Sequence, residues 1–105
     1  MTILLAALMA LPSSDPIMDA DKVYEQCLTR QVKAYAKATE EVSPVLDAAF
    51  SDCREQRSAL LKVWLGDKPV SWQGRQNVEE SLDLMDKDRR KRLTAVLLKS
   101  RLAAR

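Results

Sequence analysis

The fold is decided by residues 21–65, whose sequence is DKVYEQCLTRQVKAYAKATEEVSPVLDAAFSDCREQRSALLKVWL. In the first half of this stretch, apolar residues recur at steps of three and four, which is typical of an amphipathic helix with one buried face. This stripe consists of Val23, Tyr24, Cys27, Leu28, Val32, Tyr35 and Ala36. Asp19 or Asp21 is expected to cap the start of the helix, because a carboxylate accepts hydrogen bonds from its first N–H groups.

The second half of the stretch predicts another helix after a turn at Thr39–Ser43. Proline disfavours helical geometry in the preceding residue and suits the first helical position, so Ser43 is the expected N-cap and Pro44 the first helical residue. Gly66 is expected to end this helix. Its apolar residues are Val45, Leu46, Ala49, Phe50, Cys53, Leu60, Leu61 and Trp64. We therefore expect residues 21–66 to form an antiparallel helical hairpin.

The two cysteines, Cys27 and Cys53, are equally distant from residue 40, which lies inside the predicted turn. Such positions face each other in an antiparallel hairpin, and both cysteines lie on the apolar stripes. A disulfide between them would stabilise the fold by about 3–4 kcal/mol in the chain-entropy description. The alternative is two buried reduced thiols, because free cysteine behaves as a small hydrophobic residue. A zinc site is not expected, since two thiolates without histidine do not complete a four-ligand shell.

The last third of the chain predicts a loop over residues 67–76 and a third amphipathic helix over residues 77–105. Trp72 in the loop is expected to pack with Trp64, and the alternative is an exposed pair that binds a ligand. Asn77 with Glu80 has the spacing of a capping box. The apolar stripe of this helix consists of Val78, Leu82, Met85, Leu93, Val96 and Leu97. It is interrupted at Asp88–Arg92, where we expect packing to be lost. The whole chain, with only two glycines, is predicted to be all-α.

The charges are unevenly distributed along the chain. Residues 1–86 carry nine Lys/Arg and fourteen Asp/Glu, whereas residues 87–105 carry eight Lys/Arg and one acid, Asp88. A solvated helix is one interpretation, because acids precede bases by four residues and such pairs stabilise helices. These pairs are Asp83–Lys87, Asp86–Arg90 and Asp88–Arg92.

The alternative is that this basic helix contacts an anionic partner, either a membrane surface or a phosphate backbone. The candidate contacts are Arg89, Arg90, Lys91, Arg92, Lys99, Arg101 and Arg105. Nucleic acid is the less favoured of the two partners, because residues 77–105 contain no aromatic side chain on which a base could stack.

At the start of the chain, Ile3–Leu11 (ILLAALMAL) is an apolar run followed by Pro12. It is shorter than the roughly 20 residues that cross a bilayer and has the length of the apolar region in a secretory signal peptide. We therefore interpret residues 1–20 as a leader-like segment with a linker. The alternative is a short core helix or strand of the mature domain. A disulfide would favour export, because disulfides persist in oxidising compartments.

Residues that carry catalysis are scarce. The chain has no histidine and no glycine-rich loop, so we expect no histidine-based triad, no phosphate-binding loop and no histidine metal ligand. Each cysteine lies on a predicted core face, whereas a catalytic cysteine needs an activating, accessible environment. The expectation is a non-enzymatic protein without a cofactor or a metal.

Two segments carry a resemblance, YEQCLTR at residues 24–30 and AAFSDC at residues 48–53. With the leader-like start, they resemble the small uncharacterised exported helical proteins with two cysteines that are common in proteobacteria. The resemblance implies a helical fold and a periplasmic or secreted location. The expected role is binding or structural, with an envelope protein or an anionic membrane surface as partner. The alternative is a cytosolic interaction protein that binds its partner through the basic C-terminal helix.

Overall fold

The computed structural model describes residues 15–38 and 41–104, which form four α-helices and no β-strand. The helices are α1 (Pro16–Ala34), α2 (Val42–Asp52), α3 (Arg54–Leu65) and α4 (Trp72–Ala103). The all-α prediction is confirmed for these residues. The predicted leader run Ile3–Leu11 lies outside them, whereas the end of the predicted linker is helical, because α1 already begins at Pro16.

The start of α1 is set by the pair Asp15 and Pro16. The Asp15 carboxylate accepts a hydrogen bond from the Ile17 backbone N–H at 2.9 Å, and Pro16 occupies the first helical position. Proline is favoured there because its φ is already helical and its missing N–H would have no acceptor inside the helix. The prediction that Asp19 or Asp21 caps this helix is therefore wrong, and Asp19 lies in the first turn.

The start of α2 differs slightly from the sequence-based expectation. The helix begins at Val42 with Glu41 as the N-cap residue, so Ser43 and Pro44 lie inside the first turn. The first-turn N–H groups have no acceptor within a helix, so proline is tolerated at this position. Ser43 is therefore a helical residue and not the N-cap.

The predicted second helix is divided at Cys53, where the backbone leaves helical geometry with φ −103° and ψ 17°. The Cys53 N–H still donates to the Ala49 carbonyl at 3.1 Å, so the interruption is one residue long. Neither glycine nor proline marks this position in the sequence, which is why the pattern predicted one continuous helix. Gly66 ends α3 as predicted, with φ +76°, a conformation that costs glycine little.

The start of α4 lies five residues before the predicted one. The Ser71 hydroxyl accepts a hydrogen bond from the Gly74 N–H at 3.0 Å and caps the helix, while the Asn77 side chain accepts from the Gln73 amide. Trp72 is 76% exposed, so the prediction that it packs with Trp64 is wrong. Trp64 is partly buried against the core instead.

The core is centred on α1, which packs against each of the other three helices. Val23 and Met85 were predicted in the apolar stripes but are 54% and 38% exposed. Packing also continues through Asp88–Arg92, contrary to prediction, because Arg89 is buried there. The buried hydrophobic residues are Tyr24, Cys27, Leu28, Val32, Ala36, Val45, Leu46, Ala49, Cys53, Leu60, Leu82, Leu93 and Leu97.

The helix start at Ser71 can be tested by substitution. We expect Ser71→Ala to lower the free energy of unfolding by about 1 kcal/mol, because it removes an N-cap acceptor. Asn77→Ala is the matched control and is expected to change it by no more than about 0.5 kcal/mol, since Asn77 is exposed inside the helix. Urea denaturation measures the free energy of unfolding of both variants. A larger loss for Asn77→Ala than for Ser71→Ala would contradict this helix start.

Candidate functional site

The most deeply buried charge among the described residues is Arg89 of α4, whose side chain is 1% exposed. Its guanidinium donates to three carboxylates. Nε bonds Glu25 at 2.9 Å, Nη1 bonds Asp86 at 2.9 Å, and Nη2 bonds Asp21. Because Asp21 and Glu25 belong to α1, a single side chain of α4 fixes two successive turns of the central helix.

Tyr24 of α1 closes the same site from the apolar side. The Arg89 guanidinium lies 4.8 Å from the centre of the Tyr24 ring, within the range of a cation–π contact. The Tyr24 hydroxyl donates to Asp86 Oδ1 at 2.9 Å. Burial, followed by the negative charge of Asp86, raises the pKa of the Tyr24 hydroxyl, which therefore remains a hydrogen-bond donor across the physiological pH range.

Arg57 brings α3 into the same network. Its Nε donates to Asp86 Oδ2 at 2.7 Å and its Nη2 donates to Asp83 at 2.6 Å. Arg92 donates to Glu25 at 2.8 Å on the solvent side. We call the following set the Arg89 cluster: Asp21, Tyr24, Glu25, Arg57, Asp83, Asp86, Arg89 and Arg92.

The charges of the Arg89 cluster largely offset one another, since its four carboxylates bind three guanidinium groups. Burial by itself disfavours the charged form of Arg89, but the hydrogen bond with Asp86 and the charges of Asp21 and Glu25 outweigh that effect and raise its pKa. Asp86 accepts three hydrogen bonds, from Tyr24, Arg57 and Arg89. The arrangement is that of a structural ion-pair network whose charges are satisfied by one another. In the part of the chain that the structure describes, no group of three or more His, Cys, Asp or Glu side chains could hold a metal ion.

The two cysteines meet in the core, where Cys27 lies three residues after Tyr24 on α1. Cys27 and Cys53 are 3% and 0% exposed, with 6.0 Å between their Cα atoms and 2.13 Å between their sulfur atoms. The prediction that the two cysteines face each other at disulfide distance is confirmed. The pair joins α1 to the residue between α2 and α3, and it is enclosed by the core.

An open groove of about 770 Å³ lies beside the Arg89 cluster, where α1, α3 and α4 approach one another. Its apolar lining is formed by Ile17, Met18, Leu60, Trp64 and Met85, and its charged lining includes Asp19 and Asp88. The groove therefore combines apolar surface with charges of both signs. Arg89 also lines the groove, so the shape of the groove depends on the cluster.

The seven cations that the sequence singled out do not form one surface. Arg89 is buried, so its side chain is not available to an outside partner. Three other arginines bind groups of the same chain. Arg90 bonds Asp47 at 2.8 Å, Arg92 bonds Glu25, and Arg101 donates to the Ala36 and Ala38 carbonyls at the end of α1. Lys91 and Lys99 are exposed, and Arg105 lies outside the described residues.

The acids of α4 also bind partners that the sequence spacing did not indicate. Asp83 and Asp86 both bond Arg57 of α3, and Asp86 bonds Arg89 three residues later in the chain. The predicted i,i+4 pairs of Asp86 with Arg90 and of Asp83 with Lys87 are replaced by these contacts. Tertiary ion pairs thus hold this part of the helix together with the Asp86–Arg89 pair along its own surface.

One signal in the sequence does point to the buried arginine. Leu82, Arg89 and Leu93 are separated by seven and four residues, so Arg89 continues the apolar stripe that we interpreted as interrupted. Asp86, three residues before it, supplies a neighbouring carboxylate on the same helix. No comparable signal identifies Asp21, Glu25 or Arg57, because their contacts with α4 are far apart in sequence.

No helix in the described ranges has the length and apolar character needed to cross a membrane. Comparison of the chain with protein-family models, with curated proteins and with solved structures gives no match. The residues and contacts described above therefore carry the functional argument.

The structural role of Arg89 leads to a stability prediction. We expect Arg89→Ala to lower the free energy of unfolding by about 3–5 kcal/mol, because it leaves three partly buried carboxylates without their shared cation. Arg89→Lys is expected to restore only part of the loss, since an ammonium lacks the planar fork of donors. Lys91→Ala is the matched control on the exposed side of α4. We expect it to change the free energy of unfolding by no more than about 0.5 kcal/mol.

Urea denaturation of the oxidised protein, followed by far-ultraviolet circular dichroism, measures all three variants. Equal losses for Arg89→Ala and Lys91→Ala would contradict the structural role of the cluster.

Proposed function

We propose that the chain is a non-enzymatic helical protein of an oxidising compartment, periplasmic or secreted, with a binding or structural role toward an envelope partner. The observation that carries this proposal is the Cys27–Cys53 pair, which lies at bonding distance inside the core. Structural disulfides persist in oxidising compartments and are rare where glutathione and thioredoxin keep thiols reduced.

A disulfide also suits the size of the domain. Its hydrophobic core is small, and small domains often need a covalent link to reach ordinary stability. The bond closes a loop across 26 residues, and this position between α1 and the α2–α3 junction restricts the unfolded chain. A covalent link of this kind favours a protein that works outside the reducing cytosol.

We propose further that α1 and α3 are the antiparallel arms of a hairpin that the disulfide links. Ala20 and Val23, which precede Cys27, line the same shallow cavity as Gln56 and Ala59, which follow Cys53. Residues on opposite sides of the two cysteines thus lie together, as the antiparallel register requires. A distance measurement between labels at Val23 and Ala59 would test this arrangement.

A non-enzymatic role is supported by how the buried polar groups are used. The carboxylates and guanidinium groups of the Arg89 cluster are engaged with one another and hold three helices together. Asp86 shows this most clearly, since it serves Tyr24, Arg57 and Arg89 at once. Charges arranged in this way stabilise a fold and present a defined outer surface.

The first experiment is an intact-mass measurement on the protein recovered from its native cells. One sample is alkylated directly and a second is alkylated after reduction. We expect a chain that has lost its first ten to twenty residues and that gains label only after reduction, because export removes a leader and oxidation protects both thiols.

A control sample of the same chain, unfolded and reduced before alkylation, establishes that both cysteines can be labelled. A full-length native chain whose two thiols label without reduction would contradict the proposed compartment.

The runner-up is a cytosolic interaction protein whose basic C-terminal helix binds an anionic membrane surface, nucleic acid or an acidic partner. The observation in its favour is that Lys91 and Lys99 of α4 are exposed. The same mass measurement separates the two proposals, since the cytosolic protein is expected to be full-length and reduced.

The disulfide predicts a measurable contribution to stability. We expect the Cys27→Ser/Cys53→Ser double variant to lose about 3–4 kcal/mol of unfolding free energy, because its unfolded chain is no longer restricted. The reduced wild-type protein, measured in the same denaturant series, is the matched control and is expected to lose a similar amount. Oxidised wild-type protein no more stable than the double variant would contradict a structural disulfide.

A further inference from the structure

The C-terminal half of α4 carries leucines on two of its faces. Leu93 and Leu97 are 2% and 0% exposed in the core, whereas Leu98 and Leu102 are 47% and 67% exposed. A surface helix of a soluble domain usually has one apolar stripe, which faces the core. The second pair of leucines is therefore not explained by the packing of the domain.

The exposed leucines belong to a straight line along the helix. Leu84, Asp88, Lys91, Ala95, Leu98 and Leu102 follow one another at steps of four, three, four, three and four, which places them on one side of an α-helix. All six are exposed. We call this set the outward stripe.

Along α4 itself, the charge near the end of the outward stripe has one sign. No acidic residue occurs between residues 89 and 104, and Lys91 and Lys99 are exposed beside Leu98 and Leu102. The arginines of the same segment bind groups of their own chain, as described above. Lys91 and Lys99 are thus exposed cations of this segment, as is Arg92, whose side chain is 61% exposed although it donates to Glu25.

We propose that the end of the outward stripe docks on an anionic membrane surface, with Leu98 and Leu102 entering the headgroup boundary and Lys91 and Lys99 attracting the lipid charges. Leucines gain free energy when they leave water for the acyl region, and lysines gain free energy near anionic headgroups. The other face of α4 remains packed on the domain, so Leu98 and Leu102 are the leucines that enter the membrane. Because this apolar contact is small, the binding is weak and reversible.

A second copy of the chain is a poorer occupant of this surface. Two exposed leucines fall far short of the roughly 800 Å² per partner that a stable interface buries. Nucleic acid is also a poorer occupant, because phosphates would attract the lysines but leave the leucines in water. Lipid is the partner that engages both kinds of side chain.

The lipid surface rests on the binding role proposed above and gives that role a ligand class. The proposed oxidising compartment can be wrong independently of the lipid partner. Vesicle binding does not require a leader or an oxidising compartment, whereas the intact-mass measurement does not involve lipid. An exported, oxidised protein without vesicle affinity would remove the lipid partner alone.

The test is co-sedimentation of the oxidised full chain with vesicles of phosphatidylcholine, with and without phosphatidylglycerol. We expect binding to the anionic vesicles, weakened by salt. Lys91→Gln/Lys99→Gln should lower the binding constant about fivefold for each lysine removed. Leu98→Gln/Leu102→Gln should lower it at least about tenfold, because it removes the apolar contribution.

Leu84→Gln is the matched control. Leu84 is 65% exposed on the same stripe, but Glu80, Asp83 and Asp88 surround it, so its substitution should leave vesicle binding unchanged. Circular dichroism and urea denaturation establish that each variant is folded.

Any one of the following results would overturn the proposal. The first is equal affinity for vesicles with and without phosphatidylglycerol. The second is unchanged binding by the Leu98→Gln/Leu102→Gln variant. The third is a stable dimer, measured by light scattering, that this variant dissociates. Binding of duplex DNA that depends on Lys91 and Lys99 but not on the leucines would likewise assign the surface to phosphates and overturn the lipid partner.

Discussion

A guanidinium in the interior of a protein must be neutralised where it lies, because water is no longer present to solvate it. Arg89 meets this requirement with Asp21, Glu25 and Asp86, under the face of Tyr24. The consequence reaches beyond one residue. Two of these carboxylates belong to α1, and the third is also bound by Arg57 of α3, so neutralising one cation fixes the relative positions of three helices.

Arginine and lysine have separate tasks in this domain. Arg57, Arg89, Arg90 and Arg101 direct their forked donors toward carboxylates and carbonyls of their own chain, where planar geometry allows several hydrogen bonds at once. Lys91 and Lys99 remain at the surface, which suits a strongly hydrated ammonium on a flexible stem. The basic segment thus contains a buried arginine, Arg89, and exposed lysines, Lys91 and Lys99. The exposed residues are the ones that an outside partner can contact.

The central helix α1 is held in two chemically different ways. The Cys27–Cys53 link restricts the unfolded chain, whereas the Arg89 cluster acts within the folded state. The start of the helix is set locally by the Asp15 carboxylate, whereas Arg101 of α4 donates from far along the chain to carbonyls beyond its end. The groove beside the cluster and the outward stripe of α4 are therefore surfaces of helices that the disulfide and the Arg89 cluster hold in place. This arrangement is consistent with the binding role that we propose.

The sequence by itself determined the features that depend on local periodicity and local backbone preference. These are the all-α class, the apolar faces around Tyr24 and Leu46, the glycine end of α3 and the facing of the two cysteines, which the near-symmetric spacing around the turn already indicated. It misplaced the start of α4, because Gly74 suggested a loop although Ser71 caps the helix there. It also treated Asp88–Arg92 as a gap in packing.

Only the tertiary structure decided which partners the buried charge binds. The sequence shows a run of cations beside a run of acids, and local pairing is the simplest interpretation of that pattern. The partners of Arg89 lie more than sixty residues away on α1, and the partner of Asp86 on α3 is Arg57. Long-range ion pairs leave no periodic signal, because the chain must fold before their members become neighbours. The contacts that Arg89 makes with α1 and that Asp86 makes with Arg57 are therefore a property of the packed helices.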